Sequence, residues 1–218
     1  MSQWEIRVAL CLSLFLAVLT QGAEAAQPTA IDVVEILAVK GRAPKTGYAR
    51  DQFGTAWKDV DHNGCDTRND ILNRDLTSII YKVSSQDCVV MSGVLVDPYS
   101  GETIGFLRGV TTSSDVQIDH VVALSNAWQT GAFKLTIEKR TALANDPLNL
   151  LAVKGRLNSQ KGAGDAATWL PPRKNYRCSY VARQVAVKYK YGLWLTSPEK
   201  AAIVKLLQPC PGQLIPAG

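Results

Sequence analysis

Histidine is nearly missing from this chain. Only His62 and His120 occur in 218 residues, so imidazole chemistry has few places to happen. There is no Gly-x-Ser-x-Gly and no second well-placed histidine, which counts against a serine hydrolase. Of five cysteines, no two are spaced Cys-x-x-Cys, which counts against a zinc knuckle. The longest apolar run, residues 8–19, falls short of the roughly 20 residues that span a bilayer. No linker, repeat or low-complexity stretch divides the chain, and no heptad or exposed apolar stripe suggests an interface. One domain is expected, with no inferable protein partner and no stable membrane association.

What is present begins with an address. The apolar run is followed by Ala23-Glu24-Ala25, a small-x-small pattern suited to signal peptidase. Residues 1–25 therefore read as a cleavable signal peptide, with Glu5 offsetting Arg7 in a weak basic region; an uncleaved anchor is the alternative. Cys11 is no lipoprotein signal, because Leu10 is too large for the preceding position. Residues 26–218 then form the mature domain, secreted and extracellular. It keeps Cys65, Cys88, Cys178 and Cys210, and an oxidising compartment favours disulfides. Three pairings are open; Cys65–Cys88 with Cys178–Cys210 is preferred because each closes a local segment. The whole chain carries +5, and the leader holds one arginine against two glutamates, so the remainder carries +6. That charge permits nucleic acid, anionic lipid or cell-wall polymer without choosing among them.

Hydrophobic periodicity predicts a mixed α and β chain. Residues 29–42 carry a helical stripe at Ile31, Val34, Leu37 and Ala38, and Asp66 opens a capped helix. Residues 89–96 and 103–107 read as two strands joined through Asp97-Pro98-Tyr99-Ser100-Gly101, a hairpin turn. Residues 116–122 form a strand with Val116, Ile118 and His120 on one face and Gln117, Asp119 and Val121 on the other. Helices at 124–130 and 134–143 precede a second strand at 148–153 and a helix opening at Gly155. Two further helices, at about 179–189 and 197–207, finish the chain.

The chemistry concentrates in Asp119-His120, Asn149 and Asn158-Ser159-Gln160-Lys161-Gly162. Phosphodiester hydrolysis needs an activated water, charge neutralisation on the phosphate, and stabilisation of the departing oxygen. A neutral imidazole suits the first task near pH 7, and His120 is the only well-placed candidate. A hard divalent ion suits the other two, with one oxygen each from Asp119 and Asn158. Oxygen ligands favour Mg²⁺ or Mn²⁺. Because adjacent strand residues point apart, a kink or bulge is expected between Asp119 and His120.

An Asp-His pair on one strand, an asparagine on a second and Asn-x-x-Lys-Gly opening a helix together resemble the HNH, or His-Me finger, nucleases. The resemblance implies an α+β fold, a single domain built around a ββα-metal finger at about 116–162 with flanking helices and a β-hairpin. It implies His120 as general base, Asp119 and Asn158 as metal ligands, Asn149 as the asparagine holding the finger's loop, and Lys161 facing phosphate. Zinc-binding members typically add a second histidine, absent here. Beyond the finger, Cys65-Asp66-Thr67-Arg68, Ala144-Asn145-Asp146 and Lys161-Gly162 to Trp169-x-Pro171 look like secreted HNH proteins related to the C-terminal domain of GmrSD-type restriction enzymes.

The implied activity is a secreted metal-dependent endonuclease acting on DNA, with RNA left open, and with little sequence specificity. The alternative is a non-catalytic secreted module that binds nucleic acid or cell-wall polyanions. Arg156 and Lys154 read as a phosphate-facing helix edge or simply a solvated one, and Arg108 and Arg140 as further candidates for substrate contact. Asp59-x-Asp61-x-Asn63-Gly64, ending at Asp70, fits calcium-loop spacing but lacks the final glutamate. It reads first as a polar turn before a helix, with Ca²⁺ as the alternative, and His62 within it as a surface residue.

Overall fold

Four consecutive apolar residues, Leu150 to Val153, are all buried. Such a run marks a strand covered on both faces. Leu151 and Val153 pack with Tyr180, Val185 and Ile203, while Leu150 and Ala152 pack with Ile71, Leu72 and Phe106. The computed structural model describes residues 27–217, so the leader at 1–25 lies outside the described residues.

The elements in order are α1 (Ala30–Ile36), a 3₁₀ turn at Arg50–Phe53, α2 (Thr67–Asp75), β1 (Leu76–Tyr81), β2 (Val90–Val96) and β3 (Thr103–Leu107). Then follow β4 (Val116–His120), α3 (Leu124–Gln129), α4 (Ile137–Asn145), β5 (Leu150–Lys154), α5 (Gly155–Lys161), α6 (Arg177–Lys190) and α7 (Ser197–Leu207). β1, β2 and β3 form one antiparallel sheet in that order, and β4 pairs only with β5. The result is a mixed α+β single domain with disulfides Cys65–Cys88 and Cys178–Cys210, the preferred pairing.

Local chemistry sets several boundaries. Asp66 caps α2 by accepting from Asn69 N at 2.8 Å, and α7 opens with a capping box between Thr196 and Glu199. The β2–β3 turn is held by Asp97 Oδ2, which accepts from the Ser100 amide and hydroxyl. α1 is shorter than its stripe predicts. After Ile36 the chain turns extended because its backbone pairs with the segment before α7, Lys40 N donating to Leu195 O and Leu195 N to Ala38 O. β1 escaped the sequence reading because it follows α2 directly, with no glycine or proline to mark the change.

α5 is placed by a glycine that cannot be replaced in situ. A Cβ on Gly155 would lie 1.9 Å from Ser114 O, so the helix start packs directly onto the turn leading into β4. That contact brings Asn158 beside Gln117.

Candidate active site

β4 pairs with β5 from Val116↔Lys154 to His120↔Leu150 with no register shift. Of the kink or bulge expected between Asp119 and His120, a bulge is therefore absent. β4 instead has one free edge, and Gln117, Ile118, Asp119 and His120 all border the same cleft of about 460 Å³. A cleft along a strand edge meets side chains from both faces, so no bulge is needed.

Asp119 is clamped from two sides. The buried Tyr99 hydroxyl, from the β2–β3 turn, donates to Oδ2 at 2.5 Å, and Lys161 Nζ, from the end of α5, donates to Oδ1 at 3.0 Å. Lys161 Nζ also donates to His120 O at 2.9 Å. Burial pushes the Asp119 carboxyl up from the usual carboxylate range; the Lys161 charge and the Tyr99 hydrogen bond oppose it. The same burial, together with the Asp119 charge, holds the Tyr99 hydroxyl firmly protonated.

His120 Nε2 lies 2.8 Å from Ala144 O, at the end of α4. A carbonyl oxygen only accepts, so the neutral ring carries its proton on Nε2 and leaves the Nδ1 lone pair free. Burial pulls the imidazole down to about 4; the Ala144 hydrogen bond opposes this, while the Arg50 and Lys161 charges add to it. At neutral pH the ring is uncharged and oriented by that hydrogen bond. The Trp57 ring lies nearly parallel to it, centroids 6.1 Å apart.

Asn158 Nδ2 donates to Gln117 Oε1 at 2.9 Å, and no donor among the described residues reaches its Oδ1. The cleft thus presents one free amide oxygen beside a buried carboxylate whose two oxygens already accept from Tyr99 and Lys161, hard oxygen groups of the kind that a Mg²⁺-type ion takes together with water and phosphate. Among the described residues no three His, Cys, Asp or Glu side chains gather closely enough to hold a metal. A closed zinc cage does not fit.

Asn149 is fully buried and does not border the cleft. Its Oδ1 accepts from Val122 N at 2.8 Å and its Nδ2 donates to Val122 O and Leu143 O, both at 3.3 Å. It ties the segment after His120 to the end of α4.

The cations read from sequence as substrate-facing are mostly engaged elsewhere. Lys161 is enclosed against Asp119. Arg108 donates to Val90 O and Asn69 Oδ1, and Arg140 donates to Gln52 O and Leu135 O. Arg156 faces a different cleft, with Lys154 and Arg173. The guanidiniums that do line the Asp119–His120 cleft are Arg50 and Arg68, and neither has a hydrogen-bonded or ionic partner among the described residues. Burial and the nearby Arg108 charge lower the Arg68 guanidinium from its ordinary value, against the pull of Asp66. Arg50 and Trp57 lie far in sequence from residues 116–162, so spacing gave no signal for them.

His62 sits exposed in the acidic loop, away from the cleft. That loop's polar groups serve its own turns: Asp59 accepts from Gly64 N, Asp61 from Asn63, and Asn63 Nδ2 donates to Asp70.

Residues 66–206 match the family model described as GmrSD restriction endonucleases, C-terminal domain. A protein of Arthroderma benhamiae (strain ATCC MYA-4681 / CBS 112371), described as "Uncharacterized secreted protein", is 39% identical over 184 residues, 84% of this chain and 85% of the relative. No solved structure matches.

Proposed function

The chain belongs to the family of GmrSD restriction endonuclease C-terminal domains, and from that membership we propose that it is a secreted, metal-dependent endonuclease of the HNH type. β4, β5 and α5 are its ββα finger, and DNA is its substrate, with RNA open to test. The observation that carries the reading is the state of His120: an uncharged ring, its Nε2–H held by Ala144 O, bordering a cleft with two guanidiniums that have no partner among the described residues.

In this mechanism Arg50 and Arg68 receive the phosphate, and His120 Nδ1 takes a proton from water as its oxygen bonds to phosphorus. The bond from phosphorus to the departing sugar oxygen then breaks. Asp119 and Asn158 would hold a divalent cation, Mg²⁺ or Mn²⁺, which supplies charge neutralisation at the phosphate and the departing oxygen. Tyr99 and Lys161 keep the Asp119 carboxylate in place. Asn149 positions the loop after His120. A base of this kind contributes about 10²–10⁴ in rate.

Secretion is supported by the leader at 1–25, by two disulfides and by the description of the Arthroderma relative. No helix among the described residues is long and apolar enough to cross a membrane.

The test is cleavage of supercoiled plasmid by the oxidised mature protein in Mg²⁺, Mn²⁺, Ca²⁺, Zn²⁺ or EDTA. Nicking in Mg²⁺ or Mn²⁺ that EDTA abolishes is expected. A folded protein that cuts nothing under any metal overturns the reading in favour of a polyanion-binding module.

A further inference from the structure

A second cavity of about 230 Å³ adjoins the catalytic cleft, and the two share Arg50, Trp57, His120 and Leu124. Away from those shared residues its walls are Phe53, Gly54, Ala56 and Ala144, with Asp51, Thr55 and Asn145 as the polar members. An apolar cavity of about 150 Å³ holds benzene. This one has room for a single flat ring system and none for a base pair.

Two side chains distinguish it from a packing gap. Trp57 has φ +57°, a left-handed conformation that bulky residues rarely adopt and that tends to persist at functional sites. It is held there from α2: Thr67 N donates to Trp57 O at 3.3 Å and the Thr67 hydroxyl to Lys58 O at 2.5 Å. Asn145 is 1% exposed. Its Nδ2 donates to Thr141 O at 2.9 Å, and because a carbonyl only accepts, the amide cannot flip without losing that bond. Its Oδ1 meets no donor among the described residues, at the wall of the cavity.

We propose that this cavity is a nucleobase subsite. The base beside the scissile phosphate leaves its stack, packs on Trp57, and donates an edge N–H or amino group to Asn145 Oδ1. The inference rests on the nuclease reading and adds a substrate class to it: single-stranded or frayed nucleic acid, since a paired base must first be extruded. Every base offers such a donor on its Watson–Crick edge, an amino group or ring N–H in adenine, cytosine and guanine and the N3–H in thymine and uracil, so the contact accepts any unpaired base. Arg50, on the boundary of the two cavities, is placed for the phosphate that joins base to cleft. Trp57 and Arg50 precede the span that matches the family model, whereas Asn145 lies within it.

The experiment uses single-stranded oligonucleotides of fixed sequence in which one nucleotide is replaced by a stable abasic residue, with cleavage mapped phosphate by phosphate. Wild-type protein should cut one phosphate adjoining the abasic residue on the order of tenfold more slowly than the same phosphate in the intact strand, the usual size of a base–aromatic stack. Trp57→Ala should cut the intact and abasic strands alike, and Trp57→Phe should recover part of the discrimination. Equal cutting of both strands by wild-type protein overturns the subsite and leaves the nuclease standing. That arm needs no variant to fold. A folded protein that cuts no nucleic acid at all removes the nuclease reading, and the subsite with it.

Discussion

Replacing Lys161 with methionine isolates the electrostatics that hold the Asp119 carboxylate. Lys161 is fully enclosed and the Asp119 side chain is 4% exposed. With the ammonium gone, Asp119 keeps only the Tyr99 hydroxyl as partner, and His120 O loses its donor. Methionine fills the space with a flexible apolar chain. Removing one member of a buried ion pair costs about 3–5 kcal/mol, because the other charge stays buried and uncompensated. In a domain of this size each kcal/mol moves Tm by about 2–4 °C, so unfolding should shift down by roughly 6–20 °C. The same variant frees an oxygen for a cation. A ligand at 100 times its Kd returns about 2.7 kcal/mol, so saturating Mg²⁺ should raise Tm more in Lys161→Met than in wild type. The assay is thermal unfolding followed by circular dichroism at neutral pH, in EDTA and in Mg²⁺. A variant melting within about 2 °C of wild type in EDTA would show that the enclosed pair does not carry the energy its burial implies.

Other outcomes follow from the same geometry. Asn149→Ala leaves the buried Val122 N without an acceptor, so it should lose about 1–3 kcal/mol and lower Tm and activity together; activity lost at an unchanged Tm contradicts the positioning role. Arg50→Ala and Arg68→Ala should each weaken DNA binding and flatten the dependence of log affinity on log salt by about one unit; an unchanged slope means that the residue does not meet phosphate. His120 titrates at about 4 in the folded protein and near 6.5 when unfolded, so below pH 6.5 the unfolded chain takes up the proton first. Its contribution to stability is therefore whole above pH 6.5, declines as pH falls, and is gone below about 4. Melting curves across that window should be steeper in wild type than in His120→Asn, and equal slopes contradict the buried neutral ring.

The segments from β4 to α5 were legible because their periodicities are clean. The strand read at 116–122 is β4, the run at 148–153 is β5, and the helix from Gly155 is α5, each to within a few residues. Local loop closure favoured one of the three cysteine pairings, and that is the one observed. β1 was not, since nothing in Asn73-Arg74-Asp75-Leu76-Thr77 breaks a helix; only pairing with β2 turns that segment into a strand. The cations were the least legible part. A sequence shows that Lys161, Arg108 and Arg140 are charged but not that backbone carbonyls and Asp119 consume their donors. Arg50 and Trp57 reach the cleft because the Arg50–Phe53 turn packs on α4, a long-range contact that no local pattern encodes. Tyr99 was visible only as a turn residue, and its role as Asp119's hydrogen-bond donor needed the hairpin to fold over β4.

The most direct test of the central claim compares His120→Ala with wild type for plasmid cleavage in Mg²⁺ and for DNA affinity in EDTA. Loss of the oriented base should slow cleavage by about 10²-fold or more while affinity, carried by the cleft's guanidiniums, stays near the wild-type value. A His120→Ala protein that cuts at the wild-type rate contradicts the account: the water would then be activated elsewhere, and the His120–Ala144 hydrogen bond would be only a structural contact.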